Sequence, residues 1–416
     1  MNRRRFRQAA LILLAALAPL GCQPSAIDQT TTPTPAPSPI SLPNAAIAAG
    51  SSHAAAVAQD GSVWAWGDND QGELGLEGGD RPGPAKLNVP AAMGVSASED
   101  GSVLEPGGHT LVLTRDRTLY TFGDNDHGQL GAAGDDRRTP ALLAGLEQIV
   151  QVSAGADFSV AVREDGTAWA WGRDAFGQLG DGDSEEVSRE APVQVAGVQD
   201  FQMVSAGRYH TLGLRRDGSV VAWGDNATGV LGDGTLETRR EPVAVRHLTE
   251  VVQVAAGDEF SLALKRDGTV WAWGDNDHGT LGDPALPRTD EVKEPRQVSG
   301  LGDIVAVAAG AHHALALKRD GTVWAWGANH HGELGNGEGG FGRFVPEPVR
   351  VVDLDQVALI AAGEGFSLAA RADGTVWAWG ENSSGQLGIG AADLEAHPRP
   401  KAVLGPEGQG QLKLVP

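Results

Sequence analysis

The sequence predicts an all-β fold made from one small unit copied seven times, and three observations predict it. The pattern W-A-W-G, intact or varied, ends at Gly67, Gly123, Gly172, Gly224, Gly274, Gly327 and Gly380. An interval of roughly fifty residues marks a repeated supersecondary unit, and all 11 tryptophans fall inside the copies. Asp-Gly pairs between alternating apolar runs recur at Asp60, Asp165, Asp217, Asp267, Asp320 and Asp373. Nowhere in the repeats does an apolar period of 3.6 residues persist, so no helix is expected there.

The fifth copy shows the elements in order. Val251 to Ala256 is a short apolar run stopped by Gly257. Phe260 to Lys265 alternates apolar with small or polar residues, the pattern of a strand. Asp267-Gly268 then predicts a tight hairpin, because glycine takes the positive φ that a type I′ turn needs. The second copy has Asp116-Arg117 instead, so its turn must be built differently. In the third strand, Val270 and Ala272 face one side and Trp271 and Trp273 the other. Both faces are apolar, so the strand is expected between two layers. A fourth strand is expected at Glu294 to Val298, where a proline near the start is tolerated on a sheet edge. Four short antiparallel strands per unit describe a propeller blade.

Between the third and fourth strands lies a loop of the form G-D-N-D-x-G-x-L-G, as at Gly67 to Gly75, Gly123 to Gly131 and Gly274 to Gly282. Its glycines and Asx residues supply tight turns. Its leucine (Leu74, Leu130, Leu179, Leu231, Leu281, Leu334, Leu387) is expected to plug the underside.

These residues resemble the regulator of chromosome condensation repeat family, whose units read like A-G-x-x-H-S-L-A-L-x-x-D-G-x-V-W-A-W-G-x-N-x-x-G-Q-L-G. Here the sixth copy has Ala309-Gly310-Ala311-His312-His313-Ala314-Leu315-Ala316-Leu317, then Asp320-Gly321-Thr322-Val323-Trp324-Ala325-Trp326-Gly327. The resemblance spans residues 45–404 and implies a closed, seven-bladed β-propeller of four-stranded antiparallel blades. A WD-type propeller fits less well, since its shorter period and Trp-Asp ending are absent. The second copy departs, with Tyr120-Thr121-Phe122-Gly123 and with Pro106-Gly107-Gly108 before His109. The stretch 76–105 makes the longest interval and is expected to be a protruding insertion or a distorted blade. The family's nucleotide-exchange wedge has no counterpart residue by residue, and none is transferred.

Three regions are expected: residues 1–21 as a secretory signal, 22–44 as a Thr/Pro-rich linker, and 45–416 as the propeller. Arg3, Arg4, Arg5 and Arg7 form the basic head of the signal, and Ala9 to Leu20 its apolar stretch. The only cysteine, Cys22, follows at once. This resembles a bacterial lipoprotein signal, in which the cysteine becomes the lipidated N-terminus. Leu20, two before the cysteine rather than three, departs from that pattern, and the alternative is a secreted or periplasmic chain without a lipid. A membrane contact is expected only through this anchor. The formal net charge is −22, which opposes nucleic-acid binding, because phosphate needs clustered Lys and Arg. It favours a soluble monomer with a basic protein partner.

No nucleophile elbow, zinc-helix motif or phosphate-cradling loop is present, so neither catalysis nor a cofactor is expected. Asp68-Asn69-Asp70 and its equivalents look like the start of a calcium loop. The set dissolves at Ala175, Ala227 and Ser384 and is read as turn chemistry. His53, His109, His210 and His313 alternate between copies with Phe158, Phe260 and Phe366, which indicates packing. His127, His278 and His331 sit before the loop glycine in three copies. They are too scattered to chelate one ion and are read as partner contacts. The varied segments after L-G add Glu185 and Glu186, and Phe341, Arg343 and Phe344, where aromatics beside arginine suit an interface. The expected function is a non-enzymatic exported scaffold that binds a macromolecule through one loop-rich face. Alternatives are an inhibitor of a secreted or periplasmic serine enzyme, similar to propeller-type β-lactamase inhibitory proteins, and the guanine-nucleotide exchange that the family name implies. A propeller enzyme would need acids or histidines along the central channel. The inward-facing Ala-Ala-Gly strands offer none.

Overall fold

The computed structural model describes residues 42, 45–98, 107–183, 187–288 and 291–415. The expected signal, Cys22, nearly all of the linker, Glu185 and Glu186 lie outside the described residues. Seven four-stranded antiparallel sheets are present, spanning 46–86, 92–142, 149–194, 201–244, 251–297, 304–350 and 357–402. Strand order follows chain order in every sheet, so no blade borrows a strand from the other end of the chain.

The second strand of each blade is almost wholly buried, as in Phe260–Lys265 and His313–Lys318. It is flanked in its own sheet and covered on both faces by neighbouring blades, which is why its residues are small or apolar on both sides. The second tryptophans (Trp66, Trp171, Trp223, Trp273, Trp326, Trp379) are fully buried between blades. So are the loop leucines, which act as the expected plugs.

The Asp-Gly hairpins differ from expectation. In the first blade Gly61 N bonds to the Ala58 carbonyl and Ala58 N to the Ser62 carbonyl. Only the glycine has positive φ, 92° at Gly61. A type I′ turn would need it at both central residues, so this is a type I turn closed by a left-handed glycine bulge. The aspartate's task is to accept the amide two residues on, Ser62 N to Asp60 Oδ1 at 2.8 Å. In the second blade Arg117 takes the left-handed position itself, at φ 61°.

The second blade is regular, not distorted. Arg81–Lys86 is the last strand of blade one and Ala92–Ala97 the first of blade two. The additional length falls between Ala97 and His109, of which 99–106 lie outside the described residues. Arg81–Lys86 misleads because Arg81-Pro82-Gly83-Pro84 reads as a turn. Every outer strand carries a proline at this place (Pro84, Pro140, Pro192, Pro242, Pro295, Pro348, Pro400). A missing N–H on an edge strand removes a site for unwanted strand pairing.

Ring closure also differs in detail. Gln411 to Val415 does not pair with the strand at Ile47, whose partner is Ala56. Lys413 bridges Thr375, Gln411 bridges Leu404, and the Leu414 carbonyl accepts Gln59 N at 2.7 Å. The tail thus lies between blades seven and one on the hairpin side, and Leu412 and Leu414 share a buried cluster with Leu42, Trp66 and Phe366.

Candidate functional site

The turns joining first to second strands and the loops joining third to fourth strands emerge together on one face. Three hydrogen-bond systems make that face rigid. First, the glycines ending the first strands crowd the channel mouth. A side chain at Gly207, Gly257, Gly310 or Gly363 would collide with the carbonyl of the next blade's glycine, Gly363 meeting Gly50. Glu364 N donates to the Gly50 carbonyl at 3.2 Å and Ser51 Oγ to the Glu364 carboxylate, which joins the last blade to the first.

Second, each loop is folded around its asparagine. Asn69 Oδ1 accepts Leu74 N, and its amide donates to the carbonyls of Leu76 and Gly78. Asn125, Asn226, Asn276, Asn329 and Asn382 hold their plug leucines in the same way, and Asp174 replaces the asparagine in blade three.

Third, the carbonyl just before the plug leucine receives the next blade. Trp66, Trp171, Trp223, Trp273, Trp326 and Trp379 donate their indole N–H to Gln386, Gln129, Gln178, Val230, Thr280 and Glu333, at 2.6 to 2.9 Å. Thr110, Ser159, Ser261 and Ser367 hydroxyls donate to Glu73, Gln129, Val230 and Glu333. The buried histidines complete these chains. His53, His109, His210 and His313 contact those four hydroxyls through Nε2, at 2.8 to 3.0 Å. Each hydroxyl proton is already given to a carbonyl, so Nε2 carries the hydrogen and donates it. Burial pushes these imidazoles down to about 4, 3, 4 and 3, and they are neutral. Their expected packing role holds, with the hydrogen bond added.

The aspartates of the loops do the turn chemistry expected of them. Asp124 Oδ1 accepts Asp126 N, and its Oδ2 accepts the Gln129 amide at 2.7 Å. No motif spacing pointed to Asp80 and Asp136, yet the fold brings them to these loops. Asp68, Asp70 and Asp80, and likewise Asp124, Asp126 and Asp136, place carboxylate oxygens within 4.8 Å of one another. Burial, then the neighbouring carboxylates, raise Asp68 to about 7. Burial raises Asp124 to about 6. These trios have the donor set for a hard divalent cation. Asp80 and Asp136 are at the same time loop ties, accepting Asn69 N and Asn125 N.

The singled-out residues are dispersed. His127 lies in a groove against the outer strand of blade three, with Val187 and Arg189. The carbonyl of His331 accepts His397 N. His278 instead stacks on His312 of the next blade, with ring centroids 4.5 Å apart, and lies 5.8 Å from His330. His312 escapes a reading of the sequence because it precedes a buried histidine in its own copy, and only packing of blade six on blade five brings it to His278. Phe341 and Phe344 part company. Phe341 is 99% exposed at a loop tip, edge-on to His330. Phe344 lies under the Arg288 guanidinium at 3.7 Å, while Arg343 pairs with Glu338. The central channel is walled by residues such as Ala48, Ala49, Ala97, Ala256 and Ala309, with Ser96 and Ser205 tied to the amides of the next blade.

Comparison with known proteins agrees with this architecture. The RCC1-like domain profile matches residues 191–414, and the regulator of chromosome condensation (RCC1) repeat profile matches 60–103, 117–162 and 165–214. The chain is 29% identical to the Arabidopsis thaliana ultraviolet-B receptor UVR8 over 351 residues, covering 83% of this chain and 78% of that protein. It is 29% identical to the Homo sapiens regulator of chromosome condensation over 366 residues, covering 82% and 84%. A match to the human probable E3 ubiquitin-protein ligase HERC6, at 35% identity and 67% of this chain, covers only 23% of that protein. Among solved structures, human WBSCR16 superposes with a TM-score of 0.71 at 25% identity, covering 83% of this chain and 94% of that one. Prp20p of Saccharomyces cerevisiae, at 24% identity and a TM-score of 0.72 over 89% and 88%, shares the fold. The profile matches, over more than half of the chain, and the seven blades place the chain in the regulator of chromosome condensation (RCC1) repeat family.

Proposed function

We propose that the chain is an exported, non-enzymatic scaffold whose loop face holds a basic protein partner, with Cys22 as its lipid anchor. One observation carries the choice of face and partner. The loops and turns of this face bear carboxylates in every blade, and among the described residues their only Arg or Lys side chains are Arg173, Arg208, Arg288 and Arg343. Three of those are already paired, Arg173 with Asp157 at 2.8 Å, Arg343 with Glu338 at 3.1 Å and Arg208 with Asp258 at 3.7 Å. Such a surface attracts and orients positive partners and repels nucleic acid and anionic lipid. The rigid bonds beneath the loops let their sequences vary without disturbing the ring. The relatives' names, a receptor, a regulator and a ligase, attach different activities to one ring, and no single activity is carried over to this chain.

The test is capture from cell-envelope fractions by the full chain, with a variant carrying Asp70→Asn, Asp126→Asn and Asp277→Asn. Basic proteins should be retained by the parent, released as salt rises, and retained less by the variant. Equal retention of acidic and basic proteins by both would refute the reading. The same preparation decides anchoring: mass spectrometry of the mature N-terminus should find an acylated Cys22, and an unmodified chain starting at Met1 would exclude export by this route.

A further inference from the structure

We propose, resting on the acidic loop face as the partner's seat, that the notch between blades five and six receives a lysine or arginine side chain of that partner. Glu259, Asp275, His278 and His312 bound the notch, and Phe341 is its apolar flank.

The inner turn of blade five ends at Glu259, whose carbonyl accepts Asp275 N at 2.8 Å. Two acidic residues from different loops are thereby tied at the backbone, near enough for Asp275 and Asp258 both to act on the Glu259 carboxyl. Burial first, then this crowding, holds Glu259 above the usual carboxylate range. Asp275 is raised likewise, mainly by burial. Their positive neighbours are few. Among the described residues, Arg208 is 3.7 Å from Asp258, and Arg288 lies on the other side of the cluster, near His278. His278, stacked on His312, is pushed down to about 4 by burial and by the adjoining imidazoles, so it adds no charge near neutrality. The result is a local surplus of negative charge walled by flat rings. An arriving cation would relieve it, and a guanidinium could also lie against the imidazoles.

Phe341 gives the notch an apolar rim. A lone exposed phenylalanine carries no meaning by itself. This one is held at the tip between Gly340 and Gly342, and Gly342 N donates to His330 Nδ1 at 3.1 Å. That bond ties the loop tip to His330, which the exposed Phe341 ring meets edge-on. Such a ring suits the aliphatic stem of a lysine or arginine beside its charged end.

A metal fits this place less well. The His278 and His312 rings are near-parallel, with 20° between planes. Among the described residues the oxygen and nitrogen atoms that converge within 4.8 Å belong to the two aspartate trios, not to this cluster. A side chain that enters from outside asks for no such convergence.

The probe is a fluorescein-labelled hexa-arginine peptide, with hexa-glutamate as control, titrated against the full chain by fluorescence anisotropy. Three variants accompany it: Glu259→Gln, Phe341→Ala and, on the opposite face, the exposed Asp303→Asn. Asp303 has φ 57°, which asparagine tolerates. Hexa-arginine should bind and hexa-glutamate should not. Glu259→Gln and Phe341→Ala should each weaken binding by roughly 3- to 10-fold, Asp303→Asn should leave it unchanged, and the His278 and His312 imidazole NMR signals should shift on titration. Binding that survives both notch substitutions, or imidazole signals that stay still, overturns the notch while leaving the acidic face intact. Failure of hexa-arginine to bind the parent chain overturns both.

Discussion

A residue pair that spans two blades explains why histidine and phenylalanine alternate at one position. The buried histidines of blades one, two, four and six each face a hydroxyl in the next blade: Thr110, Ser159, Ser261 and Ser367. Phe260 and Phe366 stand where the next blade offers Ala314 and Ala54 instead, whereas Phe158 stands opposite Thr211, whose hydroxyl is given to the Gln178 carbonyl. Histidine stands only where a hydroxyl is opposite, so each buried Nε2–H has an acceptor. The exchange of His for Phe was legible as packing. Its partner was not, because it lies one repeat and one position further on. The pair has a pH signature. In acid, an unfolded imidazole with its ordinary value of 6.5 binds a proton that folded His313, held at about 3, refuses. The unfolded state then binds more protons, so stability falls as pH drops below about 6.5 and levels off only below the folded values. Asp68 and Asp124, raised to about 7 and 6, act oppositely, since the folded state binds their protons first. His313→Phe should therefore lose about 1 kcal/mol at pH 7 with its hydrogen bond. It should also remove about 2 kcal/mol of the parent's acid penalty at pH 5. Urea melts at the two pH values measure this. An acid loss as steep in the variant as in the parent would contradict neutral burial of this ring.

At the scale of an element, the interface between blades is a third strand packed on the preceding loop, fastened at one carbonyl. Fully burying a tryptophan supplies roughly 4–6 kcal/mol by area, and the indole bond adds register. Phe122 replaces the tryptophan in blade two, so a phenyl ring fits the slot. Substituting Trp326→Phe and Trp379→Phe should nonetheless differ. The Thr280 carbonyl that receives Trp326 has no second donor from blade six, where Ala314 takes the hydroxyl's place. The Glu333 carbonyl that receives Trp379 keeps Ser367. Trp326→Phe leaves a buried acceptor bare and should lose about 1–2 kcal/mol more than Trp379→Phe. Equal losses in chemical denaturation would show that the indole bond adds nothing beyond area. Strands and plug leucines were legible because period and alternation are local. The glycine bulge reads as a type I′ turn because Asp-Gly serves both. Arg81–Lys86 was obscured because edge prolines look like turn residues until their neighbours show that they lie on a rim. The histidine cluster was illegible for a related reason: His278 and His312 belong to different blades, and no spacing within one repeat brings them together.

For the whole molecule, a ring of blades each made from its own contiguous segment has one junction that no covalent link spans, between blades seven and one. The closed ring was legible from seven matching repeats. Its fastening was not, because Gln411-Leu412-Lys413-Leu414-Val415 alternates like a strand, and alternation alone does not say which edge it meets. The junction is held from both sides. On the loop face Glu364 reaches Gly50 and Ser51. On the hairpin face Leu412 and Leu414, 1% and 0% exposed, close the buried cluster that also holds Val376. Their backbone ties run to both blades, Leu414 N to the Gly374 carbonyl and Gln59 N to the Leu414 carbonyl. The tail is thus a wedge in the seam rather than an added strand. Truncating both leucines in Leu412→Ala/Leu414→Ala opens a cavity in the only junction without chain continuity. At about 2–5 kcal/mol per buried leucine, the loss should exceed that of the same change at Leu354 and Leu317, which lie in one cluster between blades six and seven. Tm should fall by roughly 5–13 °C. Because the cavity lies in the seam, blades seven and one should lose amide protection first in native-state hydrogen exchange, ahead of blades three to five. Uniform loss of protection around the ring would mean that all seven interfaces fail together and that the seam is no weaker than the rest.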